Sequence, residues 1–351
     1  MSKLISVLGV ALALQLLLAV LLGLGGRDFG ATAAGGPLLS FDRKAVDRVR
    51  ILPSGQDPVL LERWDGAWQI PSLQGFPVAQ TRIDDLLSRL TALQRRLPVG
   101  TSAEAAKRFK VSPDAFERKL ELLAGERVLA TLWLGDAAGA RRAYLRVDGD
   151  DQIFEAALAS HDLGAKPDDW AAPDYLHLKS EDITRLEVNG LTLEWLDGAW
   201  RVAGLGEGEA TDPERISALV RQVARMDFMG VLGTEPGPGY GPEIPSQRLT
   251  VGLKTGAPRI YQLWKRDESK DYVVQSSSAP YYFKVPDYAG RELAGISLDK
   301  LRKAPAAAVP EPQAAPLDLG QIPALDFLDD EELPLSPEEA GAAVQQAPPA
   351  R

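Results

Sequence analysis

Leu61-Glu62-Arg63-Trp64-Asp65-Gly66-Ala67-Trp68 and Leu193-Glu194-Trp195-Leu196-Asp197-Gly198-Ala199-Trp200 align without gaps, identical at six of eight positions and 132 residues apart. In each copy Asp-Gly separates two apolar-aromatic runs. That dipeptide tolerates the positive φ angles of a tight hairpin turn, so each copy reads as a β-hairpin whose Trp residues cover a sheet. Working outward, each hairpin comes after a stretch that alternates apolar with polar residues, VDRVRI at 46–51 and ITRLEV at 183–188. Period-two alternation marks a half-buried strand. After each hairpin comes an amphipathic helix, predicted over 81–93 and 212–226. Ile83, Leu86, Leu87 and Leu90 in the first match Ile216, Leu219, Val220 and Val223 in the second. This is the stripe of a helix lying on a sheet. Thr81 and Thr211 stand as N-cap candidates, with Pro213 in a first turn.

More strands complete each half: 119–123 and 127–134 in the first, 248–254 and 259–264 in the second. Ala124-Gly125 and Thr255-Gly256 mark their turns. A last hairpin pairs 144–147 with 153–156, echoed by 272–275 with 281–285. The expected fold is α+β: two tandem duplicated modules, each a mainly antiparallel sheet of hairpin plus meander carrying one packed helix. The modules span 41–160 and 181–303, joined by a connector at 161–180 containing LGAKPDDWAAPDYLHL. Trp170 is expected to be buried where the modules meet. A cleft there would be lined by Trp170, Tyr175 and Tyr240.

Outside the modules lie two segments of different composition. Residues 4–24 read LISVLGVALALQLLLAVLLGL, and 21 helical residues extend ~32 Å, enough to cross a bilayer core. Length favours an anchor (1–26, then a linker over 27–40) above a cleaved signal peptide, although Ala31-Thr32-Ala33 offers a small-x-small cleavage pattern. A leader of this kind exports the chain attached to it, which places the modules outside the cytoplasm. At the other end, 304–351 is rich in Pro and Ala and is expected to be disordered. Its nine carboxylates face only Arg351, so it holds −8 of the chain's net −10. Within it Leu325, Phe327, Leu328 and Leu333 punctuate an acidic run. They are either part of a spacer or anchors of a segment that docks on a basic-rimmed groove.

The modules are therefore nearly neutral, which argues against non-specific nucleic-acid binding. With no Cys in the chain, thiol catalysis, disulfides and zinc-thiolate sites are excluded. The two histidines, His161 and His177, lack metal-ligand spacing, and Ser276-Ser277-Ser278 reads as a turn rather than a nucleophile elbow. Gly204-Leu205-Gly206-Glu207-Gly208 fails both phosphate-loop patterns, and its carboxylate would repel phosphate. The Gly/Pro-rich stretch 233–245 around Tyr240 reads as a spacer rather than as a ligand-covering loop. Asp84-Asp85 and Asp150-Asp151 fit a helix's first turn and a hairpin turn. No catalytic, cofactor or metal residue is expected, and the chain reads as non-catalytic.

The order of apolar leader, LER-x-DG-x-W hairpin, TRIDDLLSRL helix, YLRVDGDDQIFE hairpin and DW-x-x-PDYLHLKSEDITRLEV connector resembles the bacterial domain-of-unknown-function family 4340. The resemblance covers roughly residues 1–300. It implies a membrane-anchored bacterial protein from a family often encoded beside ABC transporter components of the gliding-motility type; together with the leader, the expected location is the inner membrane with the modules in the periplasm. It implies no active site. The expected function is thus an extracytoplasmic accessory protein binding a transporter or other envelope component. A periplasmic ligand-binding protein with its site between the modules is the alternative, and a hydrolase a more distant third.

Overall fold

The Asp-Gly turns set the geometry from which both halves grow. Asp65 and Gly66 have φ of 49° and 82°, and Asp197 and Gly198 have 54° and 79°, the double positive φ that matches a two-residue hairpin to the twist of its strands. The computed structural model describes residues 35–205, 211–266 and 270–302. The apolar leader, part of the 204–208 glycine cluster, and Leu325, Phe327, Leu328 and Leu333 of the tail lie outside these residues. Among the described residues no helix is long and apolar enough to cross a membrane.

In the first half the strands are β1 (Arg48–Pro53), β2 (Val59–Trp64), β3 (Ala67–Ile70), β4 (Phe76–Pro77), the small hairpin β5 (Val111–Ser112) and β6 (Ala115–Phe116), β7 (Arg118–Ala124), β8 (Arg127–Gly139), β9 (Arg142–Val147) and β10 (Ile153–Ala156). Apart from β5 and β6 they form one antiparallel sheet, ordered β10-β9-β8-β7-β1-β2-β3-β4. The second half contributes β11 (Ile183–Val188), β12 (Leu191–Leu196), β13 (Ala199–Val202), β14 (Gly230–Gly233), β15 (Gln247–Leu253), β16 (Arg259–Lys265), β17 (Tyr272–Ser276) and β18 (Tyr282–Val285). Their order is β13-β12-β11-β15-β16-β17-β18-β14. Reversing one order superposes seven strands on seven, in the same chain sequence. The duplication extends to seven of the eight strands of each sheet.

Two helices lie in equivalent places, α1 (Gln80–Ala92) and, further along the chain, α3 (Pro213–Ala224), with the predicted apolar stripes buried. Their starts differ from expectation. Thr81 lies inside α1, whose cap position is Ala79 with no side-chain bond. Asp212 rather than Thr211 caps α3, accepting from the amides of Glu214 and Arg215. A carboxylate next to Pro at the first helical position satisfies two free amides, so it outcompetes the neighbouring hydroxyl.

Each half holds more than one helix, against the single one expected: the added helix of the first half covers the second face of its sheet, and those of the second half pack into the main core. In the first half, α2 (Ala103–Arg108) is capped by Ser102. With β5 it packs Ala105, Ala106 and Val111 against Trp133 of β8. In the second half, Tyr240 from the 233–245 loop packs with Trp264 of β16, Val273 and Tyr282. Trp133 and Trp264 occupy the same place in the two repeats, and each is shielded by a different insertion. The helices α4 (Asp287–Ala294) and α5 (Leu298–Leu301) close the second half. The inner faces of both sheets share one continuous hydrophobic core.

The hairpin tryptophans divide by face. Trp68 and Trp200 are buried. Each is covered by its cross-strand partner: the Arg63 guanidinium lies 4.9 Å from the Trp68 ring, and Trp195 stands edge-on to Trp200 at 5.7 Å. Trp64 points the other way and is 71% exposed, as is its counterpart Leu196 at 48%.

Candidate functional site

The connector is built from short turns held by its own acids. In the turn Ser160–Asp162, Asp162 accepts from the Ala159 amide at 2.9 Å and pairs with Arg89 of α1 at 3.2 Å. In Pro167–Trp170, Asp169 accepts from the Lys166 amide at 3.0 Å, and Asp168 accepts from the Val231 amide of the second half at 2.9 Å. These carboxylates satisfy backbone donors that the loop would otherwise leave free. Trp170 is fully buried. Its indole donates to Gly164 O at 3.2 Å, and the Arg82 guanidinium sits 4.9 Å over its ring. The Trp170 carbonyl accepts from the Ala79 amide at 2.8 Å, tying the connector to the start of α1.

The halves meet in an aromatic cluster around Phe76 of β4. Its ring centroid lies 4.7 Å from Tyr175, 5.0 Å from Tyr281, 5.8 Å from Phe283 and 5.9 Å from Phe228. Tyr281 donates to Gln74 O at 3.2 Å, and Gln74 Oε1 accepts from the Thr234 amide. The junction is packed by rings, and burial raises the Tyr175 and Tyr281 hydroxyls above their ordinary value. Of the three residues expected to line one cleft, Trp170 and Tyr175 pack into the shared core. Tyr240 belongs to the separate cluster on the other face of the second sheet.

Tyr261, fully buried beneath the connector, donates to Leu176 O at 3.2 Å. Burial pushes its hydroxyl from 10.0 up to about 12, against a smaller opposing pull from Arg259. A group that holds its proton more tightly when folded contributes full stability below its unfolded value and loses it as pH rises through the folded one. Tyr261→Phe is therefore expected to flatten the fall in stability between pH 10 and about 12. At neutral pH it should cost ~1 kcal/mol through the lost hydrogen bond. Urea unfolding at neutral pH and across that alkaline range reads both effects.

Two clefts flank the equivalent helices, and they are copies of one another. The first, about 490 Å³, is lined by Arg82, Asp85, Leu86 and Arg89 of α1, with His161 and Asp169 from the connector. The second, about 340 Å³, is lined at the matching helix positions by Arg215, Ala218, Leu219 and Gln222 of α3, with Lys300 and Leu301 from α5. Matching backbone bridges close them, Val78 with Ala171 and Thr211 with Arg302. The Arg89–Asp162 ion pair is replaced by Gln222 donating to Glu292. The same scaffold thus carries one acidic and one mainly apolar, basic-rimmed cleft.

The remaining polar candidates serve the fold. His177 Nε2 lies 2.8 Å from Asp227, and His161 is exposed. Among the described residues no group of three His, Cys, Asp or Glu side chains could hold a metal ion. Ser276 and Ser278 bond each other at 3.0 Å within their turn. Asp84 accepts from Gln80 at 2.9 Å, and Asp150 pairs with Arg95 at 2.6 Å. What the sequence reading missed is the outward pair Trp64 and Leu196. Strict alternation from buried Leu61 and Leu193 would have placed both on the outer face.

A family model described as Domain of unknown function (DUF4340) matches residues 68–245, just over half of the chain. Neither a curated protein nor a solved structure matches it. The match runs from the buried Trp68 of the first hairpin through α1, the connector and α3 to the loop before β15, and the chain belongs to the DUF4340 family.

Proposed function

We propose that this chain is an extracytoplasmic accessory protein, held at the inner membrane by residues 4–24, whose tandem sheets bind a protein partner in the envelope, an ABC transporter-type component above all. The observation that carries the reading is the repeated exposure of a large apolar side chain immediately before each Asp-Gly turn: Trp64 at 71% and Leu196 at 48%. The turn requires only Asp-Gly, and the buried face of each hairpin is already served by Trp68 and Trp200. An outward Trp or Leu therefore adds nothing to the core, and aromatic and apolar side chains presented this way are the usual anchors of protein interfaces. Hydrolysis is less favoured, since Asp162, Asp168 and Asp169 around the larger cleft already hold backbone amides. The test is a photo-reactive amino acid at position 64 or 196 in intact cells. Both positions are expected to yield an adduct with one and the same envelope protein.

Ligand binding is the second reading, favoured by the 490 Å³ cleft beside α1. There a small polar molecule would meet Arg82 and Asp85, away from the packed aromatic junction.

A further inference from the structure

We propose that the groove beside Gly35 rests on an anionic phospholipid surface, so that the first module lies against the bilayer instead of swinging from its linker. The proposal rests on the anchor reading of residues 4–24.

Its starting point is the duplication. Gly100-Thr101 in the first half stands where Gly233-Thr234 stands in the second, and Val99 where Leu232 stands. The two segments lie along equivalent strands, β10 and β18: the Val99 amide donates to Ile153 O at 2.8 Å, as β14 pairs with β18. In the second half this edge is the joining surface, with Val231 bonded to Asp168 and Gly233 against Gln74 of the first half. In the first half the same edge remains open among the described residues. Leu97 is 81% and Val99 42% exposed there.

The open edge also differs in chemistry. Where the junction packs Phe228 against Phe283 at 4.8 Å, the open one places Arg95 over Phe154 at 5.5 Å. Arg95 lines a groove of about 440 Å³ together with Arg96, Arg142, Glu155, Leu97, Val99 and Gly35. Arg95 and Arg142 pair with Asp150 and Glu155, at 2.6 and 2.5 Å. Arg96 is exposed on the rim. An apolar edge with a guanidinium rim suits a membrane interface, where side chains enter the acyl boundary and cations meet lipid phosphates.

Chain length supplies the proximity. Residues 25–34 are all that separates the apolar run from Gly35, and ten extended residues reach at most ~35 Å. The groove is thereby held close to whichever bilayer the leader enters.

The chain contains no Cys, so Leu97→Cys in the full chain provides one thiol for an environment-sensitive dye. The labelled protein is placed in vesicles of phosphatidylcholine, alone or mixed with phosphatidylglycerol. In the anionic vesicles the emission is expected to shift to the blue, to be quenched by spin-labelled lipid, and to revert at 1 M salt, where the screening length falls to ~3 Å. The same dye at Ile244, 93% exposed, should stay in water. Adding Arg96→Glu should weaken the contact about fivefold or more, the expected effect of one basic residue near an anionic surface. A dye at 97 that reports water in both vesicle types, with the protein retained through a carbonate wash, overturns the surface contact and leaves the anchor standing. Release by carbonate overturns the anchor and the proposal together. A blue shift without lipid quenching overturns the lipid assignment and points to a protein on this edge.

Discussion

Trp170→Ala is expected to lower stability by about 3–5 kcal/mol, the range for removing a large buried aromatic. For a unit of this size that corresponds to a melting temperature lower by on the order of 10 °C. Three losses coincide at this residue. Its side chain is fully buried, its indole holds the connector turn through Gly164 O, and its ring carries the Arg82 guanidinium. Removing the ring leaves a cavity and a guanidinium without its aromatic face. Trp170→Phe should recover most of the packing but not the Gly164 bond, leaving a deficit of ~1 kcal/mol. Calorimetry on the three proteins separates these contributions. A melting temperature within about 2 °C of wild type for Trp170→Ala, where a loss of this size should give several times that, would show that the connector is not held by this side chain.

Phe76→Ala is the second large effect, of similar size but different form. Phe76 contacts aromatic rings from the connector and the second half, so its loss weakens the cooperation between the sheets as well as the total. Unfolding is expected to change from a single transition to two resolvable ones, the half without its partner melting earlier. If the variant still unfolds in one sharp step with an unchanged midpoint, the aromatic cluster does not couple the halves.

These two residues also mark what could be read from sequence. Asp65-Gly66 and Asp197-Gly198 were legible because a two-residue turn depends on local dihedral preference alone. The helix stripes were legible because one face of α1 and of α3 is apolar at the right period. Trp170 could be expected to be buried, as the one tryptophan of the connector. Its partners could not, since Arg82 lies on another element and nothing local singles it out. Phe76 was invisible for the same reason: the residues that surround it come from positions 175, 228, 281 and 283. The 230–233 strand is too short and glycine-rich to show alternation. Its counterpart at 97–100 becomes recognisable only once Gly100 and Gly233 are seen pairing with the same edge. The twin clefts are hidden in the sequence because Ala218 stands where Asp85 does and Gln222 where Arg89 does, on a backbone of the same shape. Tyr240 lies away from the expected cleft because a Gly/Pro-rich loop carries no signal of which sheet face it will cover.

The partner-binding reading has one direct test. A photo-reactive residue is placed at Trp64 or Leu196, and at exposed Val128 near the start of β8 as control. After irradiation of intact cells the adducts are identified. The account predicts one envelope or membrane-transport protein captured from both 64 and 196 and not from 128. Adducts only with cytoplasmic proteins, or none from either hairpin at a level above the control, would contradict it.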